Sequence, residues 1–153
     1  MDCFVPSSEV RRVLDAAGAD LREDFRLLLE LMHRFERTDD HLERQDLMRA
    51  ATDLFEIHAA IQHQIGGTLR GTAAHRVEAL HGLMERLDAT DARSPLHYAG
   101  GLELKRMLER YVSRNDHWFD GMSKQARRMQ CNAGLWHERA GLLSYARQLV
   151  TLH

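Results

Sequence analysis

Four polar side chains stand where apolar residues otherwise dominate, and they are the candidates for chemistry in this 153-residue chain. His58 and Gln62 are four residues apart, so on a helix they lie on the same face, one above the other. His81 and Asp116 fall on the apolar stripes of two later segments. Two imidazoles and a carboxylate resemble a facial triad of metal ligands. If these side chains face inward, they can hold one metal ion or another small ligand.

The turn between the two histidine-bearing segments places both histidines at a similar depth. His58 lies eight residues before Gly66, and His81 lies nine residues after Thr72. At about 1.5 Å per residue, each is roughly 12–14 Å from that turn, so in an antiparallel hairpin they face each other. The alternative is two core histidines, each hydrogen-bonded to a carbonyl or an amide, and the sequence leaves both possibilities open. The other histidines lie off the stripes or near segment ends and are expected to be solvated: His33, His41, His63, His75, His97, His117, His137 and His153.

Apolar residues recur at spacings of three and four almost throughout, which predicts helices. The predicted helices span about residues 7–17, 20–37, 40–65, 72–88, 95–122 and 133–152. Asp40-x-x-Glu43 reads as a capping box, and Ser94-Pro95 as an N-cap followed by proline at the first helical position. Gly100-Gly101 is expected to weaken the first turns of the helix that follows.

Four long amphipathic helices joined by short loops pack most simply as an antiparallel bundle. The expected fold is therefore all-α: an up-down-up-down four-helix bundle with a short N-terminal helix and an extra C-terminal helix. No linker separates a second domain, so residues 1–153 are expected to form one domain with its core at about 20–130.

Composition excludes several classes of function. The net charge of -2 and the scattered basic residues argue against nucleic-acid binding. Cys3 and Cys131 are too far apart for a C-x-x-C pair, no apolar run could span a membrane, and the N-terminus lacks a signal peptide, so a cytoplasmic location is expected. No glycine-rich phosphate loop, nucleophile elbow, H-E-x-x-H motif or inward carboxylate pair suggests an enzyme.

Two stretches of the chain resemble the hemerythrin-like (HHE) family. Residues 24–29 are similar to its first-helix pattern, in which Asp-His precedes an apolar run. Residues 54–62 are similar to its second-helix pattern, in which His-x-x-x-Glu supplies two iron ligands. The resemblance covers about residues 20–130. It implies a four-helix bundle around a non-heme di-iron centre, which serves oxygen binding, or oxygen, nitric oxide and iron sensing in bacterial relatives.

The ligand positions of that family are only partly matched. In chain order they fall on Phe25, His58, Gln62, Val77, His81, Tyr111 and Asp116. Phe25 and Val77 cannot bind a metal, and Gln62 is a neutral amide. Shifting the fourth-helix alignment by a few residues would change the pair Tyr111 and Asp116. Two irons in a dry core need several anionic oxygen ligands, and one carboxylate remains at most.

The resemblance therefore predicts a bundle that has lost its di-iron site, binds no cofactor and acts as a binding, regulatory or interaction module. The expected partner is a second copy or another protein, with an exposed Trp136 on the C-terminal helix as a candidate interface. The alternative is a residual sensor for oxygen, nitric oxide or iron, in which His58, His81 and Asp116 hold one iron or zinc ion or a small ligand.

Overall fold

The computed structural model describes residues 21–64, 72–115 and 133–151, and the regular structure in these ranges is entirely helical. The helices are α1 (Arg22–Arg37), α2 (His41–Gln64), α3 (Thr72–Asp88), α4 (Pro95–Arg114) and α5 (Ala133–Thr151). The all-α prediction is confirmed. The predicted short helix ending near Ala17, the Gly66-Gly67 turn and the end of the fourth predicted helix lie outside the described residues. None of the described helices combines the length and the apolar character needed to cross a bilayer.

The start of α4 follows the local signal in the sequence. Ser94 is the N-cap: its hydroxyl oxygen accepts a hydrogen bond from the backbone N–H of Leu96. Pro95 occupies the first helical position, where its missing N–H is not needed. This prediction is confirmed.

The predicted capping box at the start of α2 is only half formed. Asp40 accepts a hydrogen bond from the N–H of Leu42 at 2.9 Å, as a capping residue does. Glu43 does not turn back to the Asp40 N–H. Its carboxylate instead accepts hydrogen bonds from Arg34 at 2.6 Å and Thr38 at 2.8 Å. Glu43 therefore joins the beginning of α2 to the end of α1.

The helices share one apolar core. α1 packs against α2, α4 and α5, α2 also packs against α3 and α5, and α3 packs against α4. The predicted stripe of α1 is fully buried: Leu21, Phe25, Leu28, Met32 and Phe35. Because α5 lies against α1 and α2, its inner face belongs to the same core.

The exposure expected for Trp136 is wrong, since its side chain is only 3% exposed. Trp136, Arg139, Leu143 and Ala146 are spaced three and four apart, so they share the face of α5 that packs against the other helices. Burying that face covers the tryptophan ring.

The Gly100-Gly101 pair lies inside α4, which runs through it without a break. A Cβ at Gly101 would stand 2.2 Å from the Phe35 ring, and one at Gly100 would stand 2.4 Å from the Leu87 side chain. The two glycines thus permit close contacts with α1 and α3. A glycine inside a helix costs about 1 kcal/mol relative to alanine. At these two positions the absence of a side chain permits the tight packing.

Candidate functional site

His58 lies in the core and takes part in a polar network around Asp24. Its Nδ1 is 2.7 Å from Oδ2 of Asp24, which is carried by α1. A carboxylate can only accept, so the ring N–H donates this hydrogen bond. His58 is 1% exposed and Asp24 is fully buried. The contact joins the C-terminal half of α2 to the first turn of α1.

Arg139 of α5 binds the same carboxylate. Its Nη2 is 2.8 Å from Oδ1 of Asp24, and its Nε is 2.9 Å from Oδ1 and 3.2 Å from Oδ2. A guanidinium presenting two nitrogens to a carboxylate forms the strongest type of charge-assisted hydrogen bond. The Trp136 ring, one turn earlier, lies 5.6 Å from the guanidinium carbon, within cation–π range. Arg139 is itself fully buried.

The network pairs opposite charges inside the core. Among the described residues, the guanidinium of Arg139 faces the carboxylate of Asp24. Burying an unpaired charge would cost several kcal/mol, so each charged partner requires the other. Asp24 and His58 are the type of groups that bind metals, and here the adjacent positive charge comes from the protein's own arginine.

Aromatic rings surround His58. The Phe25 ring meets it edge-on, with the centroids 4.8 Å apart, and also contacts the rings of Phe55 and Tyr111. Phe25 stands at a position where the family resemblance expects a ligand, and it fills that space with apolar volume. Tyr111 is buried as well, and burial raises the pKa of its phenol to about 12. It is therefore neutral at physiological pH.

The remaining predicted site residues are dispersed. Gln62 is buried one turn after His58 on α2, and Val77 is partly buried against the core. Asp116 lies outside the described residues, so its predicted position stays a prediction.

His81 does not face His58 across the core. Its side chain is 40% exposed, and its Nε2 lies 3.2 Å from a carboxylate oxygen of Glu85 and 3.5 Å from one of Glu56. Leu80, Met84 and Leu87 take the inward positions of α3, which turns His81 toward the outer edge of α2. There its ring lies nearly parallel to that of Phe55, with the centroids 6.2 Å apart. The predicted convergence of the two histidines is therefore wrong.

Glu56, His81 and Glu85 nevertheless form a cluster of metal-ligand type. One nitrogen and two carboxylate oxygens, one from each residue, all lie within 4.8 Å of one another. Nitrogen and oxygen donors in this ratio suit iron(II), manganese or zinc. Within the described residues, neither glutamate pairs with an arginine or a lysine.

His97 also departs from its prediction, because it is buried rather than solvated. It is 1% exposed and packs beside the Phe35 ring. Burial lowers the pKa of its imidazole, and the positive charge of Arg44 lowers it further. Its Nδ1 has no hydrogen-bond partner in the part of the chain that the structure describes.

Sequence reasoning missed the two charged residues that define the core network. The sequence places Asp24 only at the start of the first-helix pattern of residues 24–29, and no motif singles out Arg139. The signal for Arg139 exists: it lies three residues after Trp136 and four before Leu143, on an otherwise apolar helix face. A charged residue in that position predicts a buried partner of opposite charge.

No protein-family model matches this chain, and neither a curated protein nor a solved structure is significantly similar to it. Function is therefore inferred from the contacts described above.

Proposed function

We propose that this protein is a metal-free hemerythrin-like bundle that acts as a binding or interaction module and not as an enzyme. One observation carries the proposal. The guanidinium of Arg139 binds the carboxylate of Asp24, whose other oxygen is bonded to His58. The protein thus places a permanent cation of its own beside the groups that would attract a metal ion.

The helix contacts support the bundle part of the proposal. Successive helices α1 to α4 pack on one another, and α4 returns to α1, as the helices of an up-down-up-down bundle do. α5 lies against α1 and α2 and contributes Arg139 to the core. In this arrangement α5 takes part in the centre of the bundle and is not an independent appendage.

A metal ion at Asp24 and His58 would have to displace Arg139. Displacement would separate the Arg139 guanidinium from the Asp24 carboxylate, and breaking a buried ion pair costs about 3–5 kcal/mol. Phe25 beside the imidazole provides no ligand in compensation. These contacts favour a core that excludes metal and is held by its own ion pair.

The test is the metal content of protein purified from iron- and zinc-replete medium, measured by elemental mass spectrometry together with a visible spectrum. The expected result is no iron in the core and no charge-transfer band. Two irons per chain would overturn the proposal.

A second candidate, a mononuclear metal site, is favoured by the convergence of Glu56, His81 and Glu85. It retains His81 from the predicted set but replaces His58 and Asp116 with two surface glutamates. About one metal per chain, lost in His81→Ala and retained in His58→Ala, would support this site. Loss in His58→Ala alone would instead place the ion in the core and contradict both candidates.

The homodimer predicted from the sequence stays a prediction, and its interface cannot use the buried Trp136. Tyr145 is the large hydrophobic side chain that α5 exposes, at 45%. Multi-angle light scattering of the wild type and Tyr145→Ser decides the matter. A dimer that dissociates in the variant would locate the interface on α5, whereas a monomeric wild type would remove the homodimer.

A further inference from the structure

A small cavity lined in part by basic residues opens between α3 and α4, and Tyr111 in its lining packs on Phe25 beside His58. Its volume is about 220 Å³. Three arginines line it: Arg76 from α3, and Arg110 and Arg114 from α4. Arg110 and Arg114 are four residues apart, so both side chains project from the same face of α4. The two helices thus contribute three arginine side chains to the lining of one cavity.

The positive charge of these arginines is poorly compensated. Arg110 lies 3.6 Å from a carboxylate oxygen of Glu103, and that glutamate also faces Arg106 at the same distance. In the described ranges, Arg76 and Arg114 take part in no ion pair. Like charges four residues apart on a helix repel each other. An anion bound among the three guanidinium groups would offset this repulsion.

Apolar side chains also line the cavity. Its walls come from Ala79 and Leu80 on α3 and Met107 on α4. Tyr111 also contributes to the lining, and the raised pKa of its phenol, about 12, keeps the ring uncharged. No carboxylate lines the cavity within the described residues, so nothing there repels an anion. A ligand that matches these walls has an apolar body as well as a negative charge.

We propose that this cavity binds a small organic anion, namely a carboxylate attached to a short aliphatic or aromatic body. The carboxylate would accept paired hydrogen bonds from the arginines, for which guanidinium geometry is well suited. The body would lie against Leu80 and Met107. Pockets for drug-sized ligands measure roughly 300–1,000 Å³, so this one fits a smaller molecule. This binding activity goes beyond the proposed function and does not depend on whether the core holds a metal.

Isothermal titration of the full chain with octanoate and with benzoate tests the proposal. The expected dissociation constant for the better of the two lies between about 10 μM and 1 mM, typical of so small a ligand. Octanamide, which keeps the body without the charge, should bind at least about tenfold more weakly, and so should acetate and inorganic phosphate. Octanamide, acetate or phosphate binding as tightly as octanoate would overturn the proposal, as would no binding of either carboxylate.

Variants then locate the site. Arg76→Gln and Arg110→Gln should each weaken binding by about fivefold to tenfold, and the double variant should abolish it. Arg86→Gln, on α3 outside the cavity, is the matched control and should bind normally. Ala79 is exposed, so Ala79→Phe should fill the cavity and abolish binding without changing the midpoint of urea unfolding. Normal binding in the double variant or in Ala79→Phe, or equal weakening in Arg86→Gln, would show that the anion binds elsewhere or through overall charge.

Discussion

His58 and His81 were expected to share one site, and their actual surroundings differ in almost every respect. His58 is buried, and the carboxylate beside it is neutralised by Arg139. His81 is half-exposed between two glutamates, which pair with no arginine or lysine in the described part of the chain. The carboxylate bonded to the buried His58 is paired with a cation of the protein itself, whereas the two glutamates beside His81 are accessible to water or to an ion.

The difference follows from the cost of burying charge. A carboxylate in the core requires a partner, because an isolated buried ion costs several kcal/mol. Exposed carboxylates are solvated, so they need no such partner, and pairs at the surface contribute about 0–1 kcal/mol. The same residue types therefore stabilise the fold in one region and remain available for binding in the other.

Removing Arg139 should have the largest effect on stability. Arg139→Ala leaves Asp24 buried without its cation, and we expect the free energy of unfolding to fall by about 3–5 kcal/mol in urea titrations. Arg147→Ala is the control on the same helix, because Arg147 is 44% exposed and lies 3.6 Å from Glu23. It should cost no more than about 1 kcal/mol. Equal effects of the two substitutions would show that the buried pair does not hold α5 in place.

A double substitution separates the charge from the packing. Asp24→Leu combined with Arg139→Met removes both charges and keeps apolar volume, so the double variant should be more stable than Arg139→Ala. If it is less stable, the loss in Arg139→Ala reflects packing and not the unpaired carboxylate.

The two histidines provide the next comparison. His58→Ala removes a buried ring packed against Phe25 and one of the hydrogen bonds to the Asp24 carboxylate, so we expect a loss of about 2–4 kcal/mol. His81→Ala changes a half-exposed side chain and should stay within about 0.5 kcal/mol of the wild type. Both values come from urea unfolding followed by circular dichroism. A comparable loss in His81→Ala would mean that the surface cluster also supports the fold.

The helices were predictable from the sequence because their signals are local. The spacing of apolar residues and the Ser94-Pro95 dipeptide depend on near neighbours, and both were confirmed. The hemerythrin-like resemblance, by contrast, remains a proposal.

Asp24 and Arg139 are 115 residues apart, and their contact depends on where α5 packs. The setting of His81 depends on the rotation of α3 about its axis, and one residue of rotation, about 100°, moves a side chain from the core to the edge. Both features depend on tertiary packing, which cannot be read from a short stretch of one sequence.

His97 extends the comparison, because it is buried and no carboxylate of the described residues is bonded to its ring. Burial lowers its pKa below the ordinary 6.5. Between the lowered pKa and 6.5, the unfolded chain binds more protons than the folded one, so stability falls as the pH drops through this window and recovers above it. Unfolding free energies measured between pH 5 and 8 should show this loss in the wild type. His97→Leu should flatten that part of the profile, while His81→Leu should preserve it, and an unchanged slope in His97→Leu would contradict the assignment.

The smallest expected effect concerns zinc at the surface cluster. If Glu56, His81 and Glu85 bind the ion in the folded state only, free zinc equal to its dissociation constant stabilises the protein by about 0.4 kcal/mol. Thermal melts across a zinc titration would detect the trend, and Glu85→Gln should remove it while His75→Ala, an exposed histidine on the same helix, should not. If zinc still stabilises Glu85→Gln, the ion binds elsewhere and the cluster of Glu56, His81 and Glu85 is merely solvated. His58 and His81 would then differ only in exposure, because neither would bind a metal ion.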